Sequence, residues 1–204
     1  IVGSAPIYFA LTFIFLFSIG GLTGLIIGSL EPNLQLHGTY FIVAHFHYVM
    51  FGGAGFAILT ALHYWFPKMT GKMYNERTAK IAWFIIFVGF NVLYFTMFIL
   101  GIEGMPRRYF DYLPQFTLGH QVSTIGAFVL ATGIILMLVN LYKTAKAGQF
   151  VGDQEAQAPA IDPVVETPKL GHRWLEGVPV TFTVLTVSLL VTVTAVAVAS
   201  DTPL

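Results

Sequence analysis

Cysteine is missing from all 204 residues, so no disulfide framework, thiolate metal site or cysteine nucleophile is available, and any metal must be held by histidine or oxygen. Charge is nearly as scarce. Only 10% of the residues are Asp, Glu, Lys or Arg, ten acidic against ten basic, and the formal net charge is zero. They form no basic stripe, which argues against nucleic-acid binding. No charged n-region or small-residue cleavage site precedes the first apolar run, which starts at Ile1 and not at Met. A signal peptide is therefore not expected, and the chain reads as processed or cut from something longer.

What is present is apolar: 56% of the residues are hydrophobic, and the mean hydropathy is +0.76. Charge-free runs extend over Ile1–Leu30, Pro32–Pro67, Ile81–Ile102, Tyr112–Tyr142 and Gly177–Ser200. Each is longer than the roughly 20 residues a helix needs to cross the hydrocarbon of a bilayer. The expected fold is all-α, a polytopic transmembrane bundle of about five helices. Residues 1–146 would form a four-helix part and 147–176 a polar linker rich in Ala, Gln, Pro, Asp and Glu. Residues 177–204 would add a fifth span, Val178–Ser200, whose Val and Thr content alone would also fit a strand.

Within these runs the first helix, about Pro6–Leu30, carries Gly20, Gly21 and Gly24 around Thr23, small residues that admit a neighbouring helix. Glu31-Pro32-Asn33 marks its expected end. The second, about Tyr40–Phe66, carries Gly52, Gly53 and Gly55, a small face suited to another helix or a flat cofactor. The link from Pro67 to Lys80 holds Lys68, Lys72, Arg77 and Lys80, whereas Glu31–Thr39 holds no cation. The Lys68–Lys80 end is thus expected on the cytoplasmic or matrix side, with Lys143 and Lys146. Arg107 and Arg108 fall on the opposite side, break that pattern and need a partner.

The most informative residues are His45 and His47, in a stretch without charge from Thr39 to Met50. Side chains two apart on a helix point about 200° from each other, so the pair cannot chelate one ion together. It can hold two metal centres, one on each flank, with Phe46 between. Counting about 1.5 Å per residue from Tyr40 puts both imidazoles roughly 8–10 Å inside the span, where ionisable groups mark function. The plain alternative is a neutral histidine bonded to a neighbouring helix. Arg107 and Arg108 have the geometry to clamp carboxylates, with snorkelling to lipid phosphate as their alternative. His63, beside Tyr64 and Trp65, reads as structural, His120 as interfacial, and His172 as a solvated linker residue.

Three runs carry a resemblance: His37-Gly-Thr-Tyr-Phe-Ile-Val-Ala-His-Phe-His-Tyr-Val49, Phe15-Leu-Phe-Ser-Ile-Gly-Gly-Leu-Thr-Gly24 and Met105-Pro-Arg-Arg-Tyr-Phe-Asp-Tyr112. They closely resemble the last third of subunit I of haem-copper cytochrome c oxidases, over about Pro6 to Lys146. The resemblance implies that His45 is the proximal ligand of the high-spin haem where oxygen binds. It likewise implies that His47 is an axial ligand of the low-spin haem, Phe46 lies between the haems, and Arg107 and Arg108 clamp their propionates. His37 resembles a histidine that helps bind magnesium, but the family's aspartate after it is Gly38 here. Thr96-Met97-Phe98 stands where Pro-x-His is common.

The resemblance further implies two haems, of type A, and reduction of O2 to water coupled to proton pumping. The copper of the binuclear centre would be held by residues outside this chain. Implied partners are the remainder of subunit I, subunits II and III, cytochrome c as electron donor and membrane lipid. The bacterial cytoplasmic membrane is the expected location, the mitochondrial inner membrane the alternative. Tyr48 and Met105-Pro106 favour the cytochrome c branch over a quinol oxidase. A nitric oxide reductase core and a non-catalytic membrane bundle are the remaining alternatives.

Overall fold

The computed structural model describes residues 3–148. The linker beyond Gly148, His172 and the expected span Val178–Ser200 lie outside the described residues. Six α-helical segments build the fold: α1 Ala5–Gly28, α2 Leu30–Leu36, α3 Tyr40–Val49, α4 Phe56–Thr70, α5 Glu76–Ile102 and α6 Thr117–Ala147. A π-helical turn, Met50–Gly55, joins α3 to α4, and a 3-10 turn, Pro114–Phe116, precedes α6. Among the described residues, four stretches are long and apolar enough to cross a membrane: Ala5–Gly28, Tyr40–Thr70, Glu76–Ile102 and Pro114–Ala147. The chain is an integral membrane protein.

Local chemistry sets the boundaries. Thr39 caps α3, its hydroxyl accepting from Phe41 N at 3.2 Å, and Asn75 caps α5, its side chain accepting from Thr78 N at 2.9 Å. The C-terminus of α4 turns on Gly71, whose φ of 65° favours glycine and whose N–H donates to Pro67 O at 2.8 Å. Pro32 does not end a helix as expected. It sits in the first turn of α2, where a missing N–H costs nothing.

The interior is aromatic: Phe9, Phe41, Tyr48, Phe56, Phe90 and Phe98 are all buried. The α5–α6 seam is tight because Gly89 and Gly126 leave no room for a Cβ against the Leu130 and Leu93 backbones, the small-residue contact expected where lipid gives helices no hydrophobic drive to associate. Large side chains elsewhere, among them Leu11, Ile125 and Phe128, point outward.

Candidate functional site

α3 is a true α-helix through His45 and His47, so the two imidazoles leave it on different flanks. His45 turns towards α1. Its Nδ1 lies 3.1 Å from Thr23 Oγ1, and the Thr23 hydroxyl donates its one hydrogen to the carbonyls of Ile19 and Gly20, both at 3.0 Å. Thr23 can therefore only accept from His45, which assigns the proton to Nδ1 and leaves the Nε2 lone pair free. Gly24 makes the space for this ring, since a Cβ there would stand 3.1 Å from His45 Cε1.

His47 turns towards α5. Its Nδ1 donates to Val43 O at 2.7 Å, and its ring stacks on Tyr94 with centroids 4.2 Å apart and planes 18° from parallel. Phe46 packs against the same ring at 4.4 Å. Phe46, His47, Met50, Phe51 and Gly55 line an open pocket of about 280 Å³. The π-helical turn supplies three of those residues, and such turns recur at functional sites.

Both imidazoles thus share one arrangement: Nδ1 is tied to the protein, while Nε2 takes no hydrogen bond among the described residues. This is how a metal-ligating histidine is oriented, with the outer nitrogen fixing tautomer and ring plane. No group of three or more His, Asp or Glu comes together among the described residues. The pair therefore fits axial ligation of groups that bring their own equatorial donors, such as haem, and does not fit a site built wholly from side chains.

At the end beyond α3, two loops are sewn together. Thr39 and Pro106 form an antiparallel bridge, Tyr40 N donates to Met105 O at 3.0 Å and Arg107 N to Gly38 O at 2.8 Å. This brings the His37–Gly38 loop to Arg107 and Arg108. Neither arginine forms an ion pair among the described residues. Arg108 holds φ at 69°, an unusual value for a residue with a side chain, as Gly38 does at 82°. His37 is exposed and joins no ligand cluster. His120 Nε2 lies 2.9 Å from Met105 Sδ, and the ring stacks on Tyr112 at 4.0 Å.

Three supporting residues were not legible beforehand as parts of the site: Tyr94, Asn91 and the hydroxyl of Thr23. Tyr48, buried between the two histidine flanks, donates to Asn91 Oδ1 at 2.9 Å, and Asn91 Nδ2 donates to Phe87 O at 2.8 Å. They lie far from α3 in sequence, and only their polarity inside apolar runs signals them.

Four membrane-crossing stretches with imidazoles presented from one of them define a polytopic membrane protein. The chain belongs to the cytochrome c and quinol oxidase polypeptide I family, whose signature matches residues 1–129. It is similar to cytochrome c oxidase subunit 1 of Bacillus sp. (strain PS3), 41% identical over 168 residues, which are 81% of this chain and 27% of the relative. It is also similar to cytochrome c oxidase subunit 1 of Albinaria turrita, 40% identical over 140 residues, covering 69% of this chain and 72% of that sequence. The chain spans about a quarter of the length of several curated relatives it matches, the Bacillus sp. (strain PS3) subunit among them. A heme-copper terminal oxidase dimer solved by cryo-electron microscopy shares the fold, with a TM-score of 0.67 at 24% identity over 81% of this chain and 31% of that one.

Proposed function

We propose that this chain forms the C-terminal part of the catalytic core of a haem-copper cytochrome c oxidase. His45 would hold the high-spin haem and His47 the low-spin haem. The observation that carries this reading is the matched state of the two rings, each anchored at Nδ1 and without a hydrogen bond at Nε2 among the described residues, on different flanks of one helix. When bound, the haems would supply electron transfer at one iron and, with a copper ion held outside this chain, reduction of O2 to water at the other, coupled to proton pumping.

The chain's own residues position those groups. Thr23 and the Val43 carbonyl hold the imidazoles so that each Nε2 lone pair faces outward for donation to a metal. Phe46 leaves the helix between the two flanks and packs against the His47 ring. Arg107 and Arg108, on the loop bridged to Thr39, would pair with haem propionates. His37 would bind magnesium only with ligands from outside this chain, because Gly38 offers no carboxylate. The remaining helices of subunit I, with the copper ligands, and subunits II and III complete the assembly, with cytochrome c as donor.

The test is optical spectroscopy of the complete complex with each histidine replaced by Ala. His47→Ala should remove the low-spin signal while high-spin haem persists, and His45→Ala should do the reverse. Loss of the same single signal in both variants, or absence of haem from the wild-type complex, would refute the assignment and leave a non-catalytic bundle.

A further inference from the structure

A second buried polar group sits at the other end of the same span. His63 lies roughly 24 Å further along the helix than His47, at about 1.5 Å per residue. It is 1% exposed, stacked on Phe9 of α1 at 4.8 Å and met edge-on by Tyr74 at 5.1 Å. Its Nδ1 donates to Leu59 O at 2.8 Å, so Nε2 is an acceptor, and this atom is buried without a hydrogen-bond partner. Among the described residues the only other buried side-chain atom in that condition is Glu76 Oε2, also an acceptor. Tyr74, whose ring meets His63, also feels the Glu76 charge at its phenol.

His63 Nε2 and Glu76 Oε2 are thus two acceptors without a donor, and a buried acceptor left unmet is destabilising. The phenol of Tyr74 has one hydrogen, which can serve only one of them. Burial, and then the Glu76 charge, push that phenol above its ordinary range, so it stays protonated and donating. The count remains one proton short.

We propose that His63, Tyr74 and Glu76 form a proton-binding site, in which His63 Nε2 takes a proton from the adjoining aqueous phase and the Glu76 carboxylate is its counter-charge. A new N–H bond forms on the imidazole, and hydronium gives up the proton as water. An open groove lined by Glu76, Arg77, Lys80, Ile81, Trp83 and Phe84 reaches the carboxylate from the surface, with a volume of about 650 Å³.

The charged groups around the site are accounted for. Glu76 Oε1 accepts from Ala5 N at the start of α1 and lies 3.6 Å from Lys80 Nζ, and Lys80 also overlies Tyr8 of α1. Lys68 of α4 donates to Tyr64. Lys72 reaches the Ala145 carbonyl of α6, Lys146 of α6 overlies Tyr142, and Arg77 lines the groove. Glu76 is the one carboxylate at this end among the described residues, so it alone can balance an imidazolium. The site is separate from His45 and His47, and its titration needs no haem.

The experiment uses the complete complex, labelled with 15N-histidine and reconstituted in lipid bilayers, followed by solid-state NMR from about pH 9 to about pH 5. The Nε2 resonance that disappears in His63→Gln should pass from the bare to the protonated form as pH falls. In Glu76→Gln, whose amide oxygen can still accept from Ala5 N, its midpoint should drop by about one pH unit or more, a tenfold loss of proton affinity. Should His63→Gln fail to assemble, Tyr74→Phe leaves the backbone intact and should move the same midpoint. A resonance that stays bare throughout, or a midpoint unchanged in both Glu76→Gln and Tyr74→Phe, overturns the proposal.

Discussion

Thr23 Oγ1 stands 3.1 Å from His45 Nδ1, and this contact joins α1 to the helix that presents both imidazoles. Thr23→Val keeps the shape and removes the acceptor. Loss of such a partner typically weakens metal affinity about 10–100-fold. High-spin haem should be retained correspondingly less well in dilution or chelation assays of the complex, with the low-spin spectrum unchanged. Equal loss of both signals would point to unfolding and not to this contact.

Tyr48 and Asn91 form a buried pair between α3 and α5 at 2.9 Å. Tyr48→Phe leaves Asn91 Oδ1 without its donor and should cost about 1–3 kcal/mol of stability, read as a lowered melting temperature of the complex. The double variant Tyr48→Phe/Asn91→Leu should lose less than the sum of the two single changes. Strict additivity would show that the two groups are not coupled.

A Cβ on Gly101 would run into the backbone of Phe41, where α5 crosses the first turn of α3. Gly101→Ala should therefore destabilise by at least about 1–3 kcal/mol and disturb both haem spectra, because the histidine helix itself must move. Gly21→Ala is the control: nothing stands within 4 Å of its Cβ. Thermal unfolding should leave that variant at or slightly above the parent, as alanine's better helix propensity requires.

Arg107→Gln and Arg108→Gln should keep both haems and shift their reduction potentials, since propionate contacts tune a haem without holding its iron. Redox titration of the complex measures the shift. Complete loss of haem in either variant would exclude the clamp role. Arg108 is the more sensitive position for larger changes, because its φ of 69° already carries backbone strain.

The four spans were legible because runs without charge map directly onto helices that cross hydrocarbon. Their ends were less so. Glu76, Arg77 and Lys80 lie inside α5, which starts where Asn75 caps it and not where charge stops. The flank geometry of His45 and His47 followed from helical spacing alone. The Val43 anchor of His47 is equally local, an i to i−4 contact that His63 repeats with Leu59. The Thr23 anchor is not, since it joins residues 22 apart. The unpartnered state of His63 also escaped the sequence, which marks an aromatic neighbourhood but not the turn that brings Glu76 beside it.

The π-helical turn packs closely on α1. Gly52 and Gly53 lie so close to α1 that a Cβ would stand 2.9 Å from Leu16 and 3.0 Å from Phe17, and the wider winding spends extra chain on one turn. Its effect is a phase change within a single span. The half before it keeps the angular setting that aims His45 and His47, while the half after it is free to aim His63 inward by a different setting. Two orientations that regular winding would lock together are thereby set apart, and excising one residue between Met50 and Gly55 would force either the His45/His47 half or the His63 half out of alignment.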